Sequence, residues 1–161
     1  HAGVAHLPGP PTYYDQSGYL GTIELTAIPS FHDARGGRRF GPNTIWRVVV
    51  DGVSICHLGD IGHMPNDEQL VEMVPTDILI CPVGGGRSLD WEQATTIMGM
   101  INPMVTIPMH YWTPLVNQRL QRLDRFLAGK PNIVPFEGSS VTVMPDTIPG
   151  NQPIWVLRPL Y

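Results

Sequence analysis

Apolar and polar residues alternate along "YLGTIELTAIPS" (19–30), with Ile23, Leu25 and Ala27 on one side, and this two-residue period predicts a half-buried strand. "TIWRVVVDGVSICHLGD" (44–60) holds two β-branched runs around Asp51-Gly52, a pair that predicts a tight hairpin. In "NDEQLVEMV" (66–74), Asn66 is followed three residues later by Gln69, the signature of a capped short helix. The continuous apolar run "DILICPVGG" (77–85) ends in glycine and predicts a central strand buried on both faces. "SLDWEQATTIMGMI" (88–101) has early acids and apolar residues at helical spacing, so a helix capped by Ser88 is expected.

A second buried strand, "PMVTIPMH" (103–110), carries His110 at its end. "PLVNQRLQRLDRFLAGK" (114–130) places Leu115, Leu120, Leu123, Phe126 and Leu127 on one helical face, with Pro114 opening the helix and Gly129 closing it. Three short strands are expected in "NIVPF", "SSVTVM" and "PIWVLRP". The first 18 residues, rich in Pro and Gly, predict an irregular lead-in. Strands interleaved with helices give an α/β layered fold, and the hairpin makes its sheet mixed rather than purely parallel.

At 161 residues the chain suits a single domain spanning 1–161 with a sizeable core. Hydrophobic residues at 42% and charged residues at 15% argue against disorder. A formal charge of −4 leaves no basic footprint, so no nucleic-acid partner is expected; the tightest cationic cluster, Arg35, Arg38 and Arg39, lies in one loop. No apolar run approaches the roughly 18 residues of a membrane span, and no secretory signal is expected. Cys56 and Cys81 lie in apolar runs without CxxC spacing and read as free buried thiols of a cytoplasmic protein.

The chemistry-bearing residues gather where strands give way to loops. His32 opens the polar, glycine-rich stretch "FHDARGGRRFGPNT" (31–44), Asp60 closes "CHLGD", and His110 closes a buried strand. A rigid sheet presents ligands from such positions. Imidazole and carboxylate groups bind first-row divalent cations, and one carboxylate can bridge two ions. Taken singly, each has an ordinary reading: a satisfied polar histidine, a turn aspartate, a solvated arginine face.

Taken together, "FHD…GG", "HLGDIGH", "CPVGG" and "IPMHY", in this order and at these intervals, resemble the metallo-β-lactamase-fold hydrolases, in particular a lactamase-B-like branch of metal-dependent hydrolases. The resemblance runs from about residue 1 to about residue 128. It implies an αβ/βα sandwich of two mixed sheets with helices outside, and a site for one or two metal ions, zinc first and manganese second, at one edge. Carried over, His32 matches the histidine completing the first metal position, Asp60 the bridging and catalytic carboxylate, and His110 the last histidine. Asp33, Asn43 and one of the loop arginines become supporting or substrate-facing groups, and His63 a residue near the substrate. His57 is expected in the core or just behind the metal site, and Tyr111 with Trp112 to pack the following turn rather than wall a pocket.

The family's H-x-H-x-D-H element is missing from the sequence, and His1 is read either as the last histidine of that element or as a chance or tag-derived residue. The sandwich is therefore expected to be incomplete at its N-terminus, either as part of a longer polypeptide or completed by another chain, including a second copy pairing at an open sheet edge. The implied function is hydrolysis of a small-molecule ester, lactone or phosphoester by a metal-activated water. The competing expectation is a non-catalytic module of the same fold, completed by a partner.

Overall fold

The computed structural model describes residues 16–159. Eight strands form one mixed sheet in the order β1-β2-β3-β4-β5-β6-β8-β7. Strands β1 (Gly18–Leu20), β2 (Ile23–Phe31), β3 (Pro42–Val50) and β4 (Val53–His57) make an antiparallel meander. From β4 the sheet turns parallel through β5 (Ile78–Pro82), β6 (Val105–Met109), β8 (Ile154–Val156) and β7 (Ile133–Pro135). This is the mixed α/β sheet expected, and among the described residues it is a single sheet.

The local signals explain most of these elements. Asp51 and Gly52 both take positive φ, 49° and 82°, which is the twist a two-residue hairpin requires between β3 and β4. Helix α1 (Asp67–Met73) starts at an Asn66–Gln69 capping box in which each side chain bonds the other's backbone N–H. Helix α2 (Trp91–Ile101) has the same device, but with Asp90 and Gln93. Ser88 is thus not the cap that the sequence suggests, and its hydroxyl is released for another bond.

Two further expectations fail for physical reasons. The helix expected over 114–130 shrinks to α3 (Leu123–Leu127). The chain before it gives its backbone bonds elsewhere: Gln121 N–H donates to Gly84 O at 2.7 Å and Trp112 N–H to Gln121 O at 2.9 Å. Docking of this stretch onto the glycines after β5 outweighs its helical periodicity. "SSVTVM" forms no strand; Val141 and Val143 instead pack as loop residues against the sheet.

Side chains alternate between two sheet faces. On one, Ile28, Ile45, Cys56, Leu79 and Cys81 pack under Met73 of α1, Ala94, Ile97 and Ile101 of α2, and Phe126 of α3. A side chain the size of Phe126, fully buried, contributes about 1.5–3 kcal/mol. On the other, Val53, Ile78, Val105 and Trp155 form a second cluster with Phe136 and Ile148.

Candidate metal centre

The topology brings the strand-end residues to one rim. Strands β4, β5 and β6 run parallel, and β2 lies two antiparallel steps from β4, so it points the same way. The residues after all four strands therefore share an edge: His32 follows β2, Asp60 lies three residues beyond β4, and His110 follows β6. There His32 Nε2 lies 4.0 Å from Asp60 Oδ2, and His110 Nε2 lies 3.9 Å from Asp60 Oδ1. Each carboxylate oxygen faces a different imidazole.

The three side chains are 21%, 31% and 24% exposed, so the rim is reachable from solvent. His32 Nε2 itself is buried with no hydrogen-bond partner, one of two such side-chain atoms among the described residues. An orphaned buried nitrogen is costly unless something occupies its lone pair, and here it faces a carboxylate oxygen just beyond hydrogen-bond reach. This donor set fits a divalent cation. Ligands of one tetrahedral zinc stand roughly 3.3 Å apart, so both pairs are somewhat open. Among the described residues, no three His, Cys, Asp or Glu side chains close around a single point. The arrangement is two open pairs sharing one carboxylate.

Backbone and neighbouring side chains hold these groups in place. Asn43, at the start of β3, accepts from the Asp60 N–H at 2.9 Å and donates to Leu58 O at 3.0 Å and Ser30 Oγ at 2.7 Å, clamping the loop that carries the carboxylate. Ser88 Oγ donates to Gly85 O at 3.2 Å and sits 3.1 Å from His110 Nδ1. With its hydrogen on Gly85 O, Ser88 accepts from Nδ1–H, an arrangement that leaves the Nε2 lone pair of His110 facing Asp60. His110 is also held at φ 52°, a left-handed conformation uncommon outside glycine and frequent where geometry serves a site.

Asp33 has a clear role, which is to build the loop. Its Oδ1 accepts from the N–H groups of Arg35 and Gly37, and its Oδ2 from those of Arg39 and Phe40, at 2.8–3.1 Å. Burial acts to raise its pKa, but these four donors outweigh it and hold the carboxyl below its ordinary value. The polar, glycine-rich stretch is a carboxylate-centred turn. It carries the Phe40 ring to within 5.8 Å of the His32 ring, and the guanidinium groups of Arg39 and Arg87 lie 4.8 and 4.7 Å from the Phe40 centroid.

His63 has both ring nitrogens engaged. Nε2 accepts from Phe31 N–H at 3.1 Å, so Nδ1 carries the hydrogen and donates to Met64 O at 2.8 Å. These bonds tie the loop after Asp60 to the end of β2. His57 accepts from Gly59 N–H at 3.0 Å, and burial pulls its pKa below the ordinary value against the pull of Asp60. His1 lies outside the described residues. Ser88 is the site residue that sequence reasoning missed. The signal was present: Asp90 with Gln93 is a better capping box than Ser88 with Trp91, which leaves Ser88 without a helical task.

The sequence of this chain matches the Beta-lactamase superfamily domain over residues 1–110. A UPF0173 metal-dependent hydrolase of Pyrococcus furiosus is 30% identical over 97 residues, covering 58% of this chain and 43% of that protein. Another from Carboxydothermus hydrogenoformans is 32% identical over 100 residues, covering 57% and 42%. The chain thus spans less than half the length of these curated relatives. Among solved structures, a candidate Zn-dependent hydrolase of the metallo-beta-lactamase superfamily from Thermotoga maritima superposes with a TM-score of 0.78 at 23% identity, covering 91% of this chain and 70% of that one. At that identity the likeness concerns the fold.

Proposed function

Since this chain belongs to the Beta-lactamase superfamily domain family, we propose that it carries half of the metal centre of a metal-dependent hydrolase, with Asp60 shared between two ions. One observation carries this reading: the two oxygens of Asp60 face two different imidazoles at 4.0 and 3.9 Å. The relatives named as metal-dependent hydrolases support it. His32 with Asp60 serves one position and His110 with Asp60 the other. A stable site takes three or four protein ligands, so further donors come from outside the described residues, and His1 is the candidate within this chain. Zinc suits imidazole-rich coordination, with manganese next.

When bound, such an ion supplies Lewis acidity that lowers the pKa of a water and polarises a carbonyl or phosphoryl oxygen. The protein's own contribution is positional. Asp60, partly exposed, accepts a hydrogen bond from the attacking water and orients it. His32 and His110 fix the separation across the rim, Ser88 sets the tautomer of His110, and Asn43 keeps Asp60 from turning away. Esters, lactones and phosphoesters are the substrate class this chemistry serves. The two unpaired, buried thiols fit a reducing compartment such as the cytoplasm.

The test is hydrolysis of p-nitrophenyl acetate and bis-p-nitrophenyl phosphate by full-length protein. Activity on at least one should vanish on chelation, return with zinc or manganese, and fall about 10²–10⁴-fold in Asp60→Asn. Activity that survives both chelation and this substitution would refute the proposal.

A further inference from the structure

A groove lies beside His110 that none of the metal-site residues uses. Its walls are the chain immediately after β6 (Tyr111 to Pro114), the end of β7 with Phe136, and the end of β8 with Arg158, around an open space of about 290 Å³. Strands β6, β7 and β8 are mutually parallel, so these ends lie on the rim that carries His110. The outer side of strand C-termini is where open α/β sheets take their ligands. Trp112, whose backbone N–H donates to Gln121 O just before α3 and whose ring lies near Arg122, is 37% exposed and also lines this groove.

The charge in the groove is one-sided. Among the described residues no carboxylate lines it, and Arg158 is the single charged side chain there. Arg158 is anchored through its backbone N–H to Gly138 O at 2.9 Å, while its guanidinium makes no ion pair or hydrogen bond among the described residues. The neighbouring Arg122, which lies 5.4 Å from the Trp112 ring centroid, is paired with Asp124 at 3.4 Å. A second cavity, of about 260 Å³, offers no comparable feature. It lies at the opposite rim beside Asn102 and Pro103, and its cation, Lys130, is bonded to Phe126 O.

We propose that this groove is the substrate-recognition subsite, taking an apolar or aromatic body against Trp112 and Phe136 and an anionic tail, carboxylate or phosphate, on Arg158. A guanidinium recognises both anions by the same forked hydrogen bonds, and apolar walls with one placed charge are the usual make-up of small-molecule sites. The idea deepens the hydrolase reading by naming what its substrate carries, yet the binding it predicts needs no hydrolysis.

The test is calorimetric titration of full-length protein, before and after chelation, with 4-phenylbutyrate, 3-phenylpropylphosphonate and the neutral 4-phenylbutanamide. At least one anion should bind about three- to fivefold tighter than the amide, as an exposed cation permits. Chelation should leave this preference intact, Arg158→Gln should erase it, and Trp112→Ala should weaken all three ligands. Equal binding of acids and amide, a preference that survives Arg158→Gln, or binding lost on chelation would overturn the proposal. Failure of the hydrolase reading would show separately, as unchanged titrations with no metal-dependent turnover.

Discussion

The carboxylate of Asp60 faces two imidazoles, and its backbone is pinned by Asn43. Removing that pin should be felt in stability. Asn43→Ala removes its bonds to Leu58 O and the Asp60 N–H, which costs about 1–3 kcal/mol, measurable as a lower urea midpoint. Ser88→Ala acts differently, because it frees the His110 ring without emptying the core. Zinc affinity should drop about 10–100-fold in a competition titration while the urea midpoint stays near wild type. An unchanged affinity would show that Ser88 does not orient the ring. His32, Asp60 and His110 were legible because strand ends and ordered sequence blocks both point to them. Asn43 was legible only through the family resemblance and Ser88 only as the serine that the Asp90–Gln93 box leaves idle, because their bonds span 17 and 22 residues.

Between elements, three glycines set how closely the loops approach at the rim. A Cβ on Gly84 would lie 2.1 Å from His110 O, and one on Gly62 would lie 2.6 Å from the His32 carbonyl. A Cβ on Gly59, whose φ is +60°, would meet Asn43 Oδ1 at 2.4 Å. Gly84→Ala should therefore cost at least about 1–3 kcal/mol through overpacking against backbone, whereas Gly99→Ala, with open space around its Cβ and a helical position, should stabilise by up to about 1 kcal/mol. Thermal unfolding of the pair would separate close approach from general glycine sensitivity. Hairpins and capping boxes were readable at this scale because their signals lie within a few residues. The helix expected over 114–130 was not, because its periodicity carries no information about the Gly84 carbonyl that captures Gln121.

For the molecule as a whole, the helix-covered face of the sheet buries both thiols completely. Burial raises the Cys56 thiol to about 12 and pushes Cys81 up as well. A group with a raised folded pKa stabilises fully below its unfolded value and loses that contribution as pH climbs. Stability should accordingly decline from about pH 9, the ordinary thiol value, towards 12. At pH 8 neither thiol should react with Ellman's reagent until urea unfolds the sheet. Rapid labelling of the native protein would contradict the buried, neutral state. The α/β class and the mixed sheet were visible in the alternation of patterns. That β2 and β4 point the same way, which makes the rim, emerges only from strand order.

The most direct measurement is metal content of full-length protein by elemental analysis, comparing wild type with His32→Ala, His110→Ala and Asp60→Ala. A carboxylate serving two positions predicts that Asp60→Ala loses the most metal and that each histidine variant loses a smaller share. Metal content unaltered in Asp60→Ala would contradict the account.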